Sequence, residues 1–259
     1  MHPLNISKDN LEYLYLNQKL SDSEIGKIHK VSLGRIHRLR NKYNISTIEN
    51  YQRHHKQNLS LTEKEFLIGT LLGDGHLRWR NKTSKKSYPQ LMLEQSIKHH
   101  EYIIWLKDQM NDWLFNPKKE LKQITKPNKK TNKTYYSYAF TTICHPVFIE
   151  FYNGFYKDKK SINIEFISKY FSKLSLAVWL MDDGTISKNR NIMLCSHNFT
   201  KMDNELLSKF LNDKFNLSSN IWKSKDKYYL GFSKENSIKL TNLIKNLVIP
   251  SMQYKLISQ

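Results

Sequence analysis

Two carboxylates mark where this 259-residue chain could do chemistry. Phe66-Leu-Ile-Gly-Thr-Leu-Leu-Gly-Asp-Gly75 is an apolar run of helical length that stops on Asp74 and a glycine. Leu176-Ala-Val-Trp-Leu-Met-Asp-Asp-Gly184 repeats the pattern and places Asp183 109 residues after Asp74. A glycine just past the last turn predicts a left-handed helix stop. Asp74 and Asp183 are thereby expected at helix C-termini, where unsatisfied carbonyls already carry negative partial charge. Something positive must offset them, and a divalent cation is the simplest candidate. One such run is ordinary turn chemistry after a buried helix. Two copies, each followed by a similar series of elements, imply one paired site. Two carboxylates around bridged metal ions suit water attack on a phosphate ester. Aligning the copies sets Asp74 opposite Asp183 and Gly73 opposite Asp182, so Asp183 is preferred to Asp182 as the second acid; Gly73 and Asp182 join the candidate metal set.

The helices must pack closely to bring those ends together. Gly69 and Gly73 leave a smooth stripe on the first, and Ala177 offers a smaller gap on the second. After the first helix the pattern predicts strands His76–Arg80 and Tyr88–Gln95, a helix Lys98–Leu114, strands Leu121–Thr125 and Tyr135–Ile143, and a helix near Pro146–Tyr156. After the second come strands Thr185–Ser187 and Asn191–Ser196, a helix Lys201–Phe215, strands Asn220–Ser224 and Tyr228–Ser233, and a helix Lys234–Leu247. Both halves read αββαββα, an internal repeat. The expected fold is α+β: two pseudo-symmetric repeats (61–165 and 166–259) whose sheets form a saddle. The alternation of Gln90, Met92 and Glu94 against Leu91, Leu93 and Gln95 gives each sheet one covered and one open face.

Ahead of the repeats, 1–50 reads as a small helical domain and 51–60 as a polar linker. Residues 1–10 look loose. Three short helical patterns follow, the last two being Asp22–His29 and Leu33–Tyr43 with Ser32 as N-cap. Leu20 to Ile36 resembles a helix-turn-helix, with Leu33–Tyr43 as the recognition helix and Arg35, Arg38 and Lys42 on its basic face.

The formal charge is +19 and the pI about 9.7. Such charge calls for a polyanionic partner, nucleic acid or an anionic membrane surface. No apolar run approaches the roughly 20 residues of a membrane span, and the N-terminus has no signal-peptide pattern, so nucleic acid is expected. Cys144 and Cys195 lie in apolar surroundings without metal spacing and read as reduced, structural and intracellular. A major groove admits a two-stranded ribbon. Arg78, Arg80, Lys188, Arg190, Lys223 and Lys225 are therefore candidate base or phosphate contacts near the hairpins.

Leu67 to Gly75 and Leu176 to Gly184 resemble the nine-letter motif of the LAGLIDADG homing endonucleases. The second copy, together with Leu247-Val-Ile-Pro-Ser-Met-Gln-Tyr-Lys-Leu256, is similar to the single-chain subgroup of yeast mitochondrial intron endonucleases. The resemblance covers about residues 60 to 259. It implies a monomeric, Mg²⁺-dependent, site-specific double-strand DNA endonuclease, with Mn²⁺ or Ca²⁺ substituting in binding. The abundance of Lys, Asn and Ile is what an AT-rich coding sequence produces and points to a mitochondrial, phage or low-GC bacterial genome. The family resemblance further implies a basic residue in each half: Lys160, in Lys159-Lys160-Ser-Ile-Asn163, and Lys255. Glu94 and His197 would stand where the family places polar groups around ordered water. Two alternatives remain open: a maturase that binds intron RNA, and a catalytically inactive DNA-binding regulator.

Overall fold

The computed structural model describes residues 6–47, 58–79, 87–128, 131–157, 159–187 and 191–257. Two packed cores divide them. The smaller joins Leu11, Tyr15, Ile25 and Ile36, and the larger runs unbroken from Leu59 to Ile257.

The small core belongs to three short helices, α1 (Lys8–Glu12, continued by a π turn at Tyr13–Asn17), α2 (Asp22–Ile28) and α3 (Leu33–Lys42). The chain is thus helical from Lys8, where a loose start was expected, because Ser7 accepts the Asn10 N–H as an N-cap. Ser21 and Glu24 close a capping box at α2. Ser32 has the backbone angles of an N-cap, but its side chain makes no capping bond. Arg40 is 4 % exposed and holds the unit together: it donates to both Asp22 carboxylate oxygens and the Ile45 carbonyl, and lies over the Tyr15 ring.

In the large core, α4 (Leu61–Leu72) is followed by β1 (His76–Trp79), β2 (Pro89–Ser96), α5 (His100–Gln109), β3 (Lys122–Asn128), β4 (Lys133–Thr141) and α6 (Ile149–Phe155). A further helix, α7 (Ile164–Tyr170), leads to α8 (Lys173–Asp183). Then come β5 (Gly184–Ile186), β6 (Ile192–Leu194), α9 (Lys201–Phe215), β7 (Ser219–Ser224), β8 (Lys227–Phe232) and α10 (Lys234–Ile244), with a 3-10 turn at Pro250–Lys255. The sheets run β1-β2-β4-β3 and β5-β6-β8-β7, the same order and all antiparallel. The repeat read from the sequence is present. Helix α7 was not expected; Asn163 caps it, and it buries Phe166 and Ile167 as a brace between the halves.

β2 separates its faces as its pattern predicts: Leu91, Leu93 and Gln95 are buried, whereas Gln90, Met92 and Glu94 keep partial exposure. Burial of Leu91 and Leu93 in the core, with β2 packed on α5, supplies the hydrophobic term that fixes this register. No described helix is long and apolar enough to cross a membrane.

Candidate active site

Helices α4 and α8 pack side by side because α4 gives up side chains where they meet. A Cβ at Gly69 would lie 2.5 Å from the Ser175 carbonyl and 2.7 Å from Val178 Cβ; one at Gly73 would lie 2.5 Å from Asp182 Cβ. The matching surface on α8 is Ser175, Val178 and Asp182, where Ala177 was expected to make room. Ser175 also donates to the Glu65 carbonyl at 2.6 Å, pinning the other end of the seam. Both helices are capped at their starts by capping boxes, Ser60 with Glu63 and Ser172 with Ser175.

Neither motif ends in the left-handed stop that its glycine predicts. Among the described residues no glycine has a positive φ. Gly75 and Gly184 are needed for space instead: a Cβ on either would meet the preceding turn, at Thr70 and Leu180 respectively.

The adjacent acids Asp182 and Asp183 have different surroundings. The Asp182 carboxylate accepts from Thr70 Oγ1 (3.1 Å), the Asp74 N–H (3.2 Å), Tyr102 OH (2.7 Å) and Gln95 Nε2 (3.4 Å). Its lone pairs are spent on α4 and its neighbours, so it finishes the end of the opposite motif helix. Gln95 also donates to Asp74 Oδ2 at 2.7 Å, which ties the exposed Asp74 to the seam. Asp183 is the last residue of α8, only partly exposed, and its carbonyl accepts the Cys195 N–H at 3.0 Å.

Two lysines supply positive charge at these helix ends. Lys160 Nζ donates to the Gly73 and Gly75 carbonyls, both at 3.0 Å; Lys255 Nζ donates to the Met181 carbonyl and to the Asp182 carbonyl at 2.9 Å. Each lysine therefore satisfies orphan carbonyls at one motif end. They do not neutralise the cluster. Burial pushes the Asp183 carboxyl up to about 7, and the Asp74 charge adds to that rise against the pull of Lys160 and Lys255. Asp182 is raised well above the usual carboxylate range, by burial first and then by Asp74. Burial draws Lys160 down to about 8 and lowers Lys255, while the three acids oppose both shifts.

The donor set fits a hard divalent cation. Asp74, Asp183 and the nearby carbonyls are all oxygen ligands, and a site that disfavours its own carboxylates has surplus negative potential for an ion. Among the described residues no group of three or more His, Cys, Asp or Glu side chains forms a cage. An ion here would complete its shell with water or substrate oxygens, as Mg²⁺ commonly does.

The other expected positions scatter. Glu94 lies on the open sheet face, held by Lys126 (2.6 and 2.8 Å) and Ser137 (2.5 Å), and its neighbour Gln95 is the residue that reaches the acids. His197 sits in a turn after β6, edge-on to Tyr229, and not on the strand. Extending the registers His76↔Met92 and Gly184↔Leu194 makes Ser196 the counterpart of Gln95. Ser196 is too short to reach across and bonds Asn204 instead. Arg78 is exposed on the open face beside His76. Lys223 pairs with Tyr228 and shares the pleat side of Ile221 and Leu230, so it faces away from the open side, where Trp222 and Tyr229 lie. Lys225 is exposed in the β7–β8 turn. Arg35, Arg38 and Lys42 all lie on α3. Arg80, Lys188 and Arg190 fall outside the described residues. Gln95 and Tyr102 were missed. A polar residue on the buried side of β2 was the available signal for the first; nothing distinguishes Tyr102 from an ordinary core aromatic.

The sequence profile of the LAGLIDADG DNA endonuclease family matches residues 64–240. The chain belongs to this family. It is 35 % identical over 126 residues to "Probable intron-encoded DNA endonuclease 3" of Mycosarcoma maydis, covering 46 % of this chain and 93 % of that protein. It is 28 % identical over 208 residues to "Probable intron-encoded endonuclease 1" of Wickerhamomyces canadensis, covering 77 % and 85 %. Among solved structures, the homing endonuclease I-WcaI bound to its DNA recognition sequence superposes with a TM-score of 0.74 and 26 % identity, over 83 % of this chain and 94 % of that one. For a LAGLIDADG chain of this kind, the seam between α4 and α8 is where the two motifs meet.

Proposed function

We propose that this LAGLIDADG protein is a homing endonuclease that hydrolyses one phosphodiester on each strand of a long, asymmetric DNA duplex. The observation that carries the reading is the convergence of Asp74 and Asp183 at two close-packed helix ends, each end braced by a lysine. Asp74 and Asp183 would hold divalent ions, Mg²⁺ in the cell, with Mn²⁺ or Ca²⁺ able to occupy the same oxygen ligands. Such ions supply charge neutralisation at phosphate and a more acidic water. The protein's own residues do the positioning. Gln95 orients Asp74, the Asp182 carboxylate locks the end of α4 against α8, and Gly73 and Asp182 present carbonyls that the lysines already engage. Lys160, with a pKa brought to about 8 by burial, can share its proton with water or phosphate oxygen near neutral pH. Lys255 is 8 % exposed and serves chiefly to hold the α8 carbonyls.

The two open sheet faces are the proposed DNA-reading surface, with His76, Arg78 and Lys126 on the first and Trp222 and Tyr229 on the second. Because both motifs lie in one chain, a monomer suffices, and unequal halves suit an asymmetric target. The +19 charge supports a polyanionic partner. Relatives encoded in introns favour a mitochondrial setting. Asp74→Asn and Asp183→Asn should each abolish cleavage of a library-selected duplex while leaving binding in Ca²⁺ within a few-fold of wild type. Undiminished cutting by either variant removes the proposal.

A second reading is that the chain also assists splicing by binding intron RNA. It is favoured by a relative named "Cytochrome b mRNA maturase bI2" in Debaryomyces hansenii, 29 % identical over 197 residues. Affinities for duplex DNA and structured RNA at equal salt separate the two, since charge alone attracts either.

A further inference from the structure

The family match begins at residue 64, so the N-terminal helical unit lies outside it. We infer that this unit is a second DNA-binding module, and that α3 contacts duplex beyond the outer edge of the target segment read by the β1–β4 sheet. The inference rests on the endonuclease reading for the existence of a duplex target.

Helix α3 has one face with internal duties and one without. Ile36 is fully buried, and Arg40 is committed to Asp22, Ile45 and Tyr15. The other stripe is Gly34, Arg38 and Lys42, spaced four apart and therefore in line along the helix. Arg38 and Lys42 are exposed, and α3 contains no acidic residue. Arg38 Nε donates to the Gly34 carbonyl, which lays the guanidinium along the stripe.

Gly34 has no explanation inside the protein. Glycine is a poorer helix former than alanine, and Gly34 stands in the first turn of α3. A Cβ there would meet nothing within 4 Å, whereas one at Gly26 would lie 2.7 Å from the Val31 carbonyl and block the α2–α3 turn. Packing thus accounts for Gly26 and leaves Gly34 unaccounted for. A bare backbone in line with two cations is what close approach by a phosphate-bearing strand requires.

The unit's seat on the large core fixes which end of the target it serves. Phe115 packs into the small core, and Asn116 Nδ2 donates to the Lys19 carbonyl at 3.4 Å. Phe115 and Asn116 also line a cleft with Met92, Lys122 and Ile124, which share the open side of the sheet. β1 starts two residues after Asp74, so it adjoins the cleavage centre, whereas β3 is the edge strand at the far side of the same sheet. The helical unit therefore sits toward the β3 edge of the reading surface and not beside β1.

The test uses the full chain and the duplex recovered by cleavage selection, carried within random flanks. Hydroxyl-radical footprints are taken in Ca²⁺, with Gly34→Glu and Arg38→Glu/Lys42→Glu as variants. Wild type should protect a tract on one flank separated from the central footprint. Both variants should lose that tract and keep the central footprint and the cut. Gly34→Glu should also melt no lower than wild type, since glutamate is the better helix former and favours a first turn. For the double variant, the slope of log K against log salt should fall by about two units, and affinity at 150 mM salt on the order of tenfold, if each side chain neutralises one phosphate. The proposal is overturned if wild type and variants give the same footprint, or if the variants weaken structured RNA and leave the flank untouched. Failure of the selection to return any cleaved duplex would instead indict the endonuclease reading.

Discussion

The two motif helices reach the same cleft and finish differently. At the first end, Asp74 lies two residues past the helix, exposed, and held by a glutamine from the adjoining strand. At the second, Asp183 is still helical and partly buried, and only the short Ser196 stands where the first half has Gln95. Asp182 makes the largest difference, since its counterpart is Gly73. One copy loses a side chain where the other adds a carboxylate, and the two fit together. The duplicated motif is therefore one asymmetric joint built from two unlike helix ends. Adjacent aspartates are separated by role: Asp182 spends its oxygens on the seam, and Asp183 retains capacity for a cation.

The sharpest way to break that comparison is to exchange the acids. Asp74→Asn and Asp183→Asn should each cost at least about 10³-fold in cleavage, in keeping with loss of the charge that positions the ions. Asp182→Asn should act on the fold instead. Its amide would face donors on every side, destabilising by about 1–3 kcal/mol and lowering Tm by several degrees, with cleavage reduced less than in either neighbour. If Asp182→Asn proved as inactive as Asp183→Asn while melting normally, the division of roles would be wrong.

The lysines probe the asymmetry next. Lys160→Met and Lys255→Met remove the charge at different motif ends, so each should slow one strand more than the other, by about 10²-fold. On a supercoiled plasmid bearing the target, open circles should accumulate before linear product. Equal slowing of both strands in both variants would mean that the lysines act on the joint as a whole.

Proton linkage offers a smaller effect. The folded Asp183 carboxyl titrates at about 7 against the ordinary 3.8. A raised folded value means that the folded state holds a proton between those limits and the unfolded chain does not. Stability without divalent ions should therefore fall as pH rises from about 4 to 7 and stay reduced above. Lys160, lowered from 10.5 to about 8, adds its own change only in the more alkaline window between those values. Melting at pH 5 and 8 should differ by about 5 °C in EDTA, and Mg²⁺ or Ca²⁺ should restore the value at pH 8 by binding the folded form. A melt independent of pH in EDTA would show that Asp183 does not experience the cluster.

Tyr102→Phe should give the smallest shift. It deletes a 2.7 Å bond to Asp182 from a fully buried ring. A loss of about 1 kcal/mol with a modest drop in kcat and unchanged KM would mark it as a positioning residue. A change confined to KM would place it elsewhere.

Sequence alone carried a good deal of this. Periodicity and the repeated Asp-Gly stop supplied the αββαββα halves, the α9 limits at Lys201 and Phe215, and the pairing of faces along β2. These features are local, set by backbone propensity and by which residues avoid water. The glycines on α4 announced close packing, but only the assembled pair of helices shows that Gly73 makes room for Asp182. That contact joins residues more than 100 positions apart, and no local pattern encodes it. The same holds for Gln95 rather than Glu94, since the two differ by one residue and the pleat decides which one meets the acids. Charge composition announced a polyanion as partner. Which lysines cap helix ends and which face outward depended on where the backbone carbonyls came to rest.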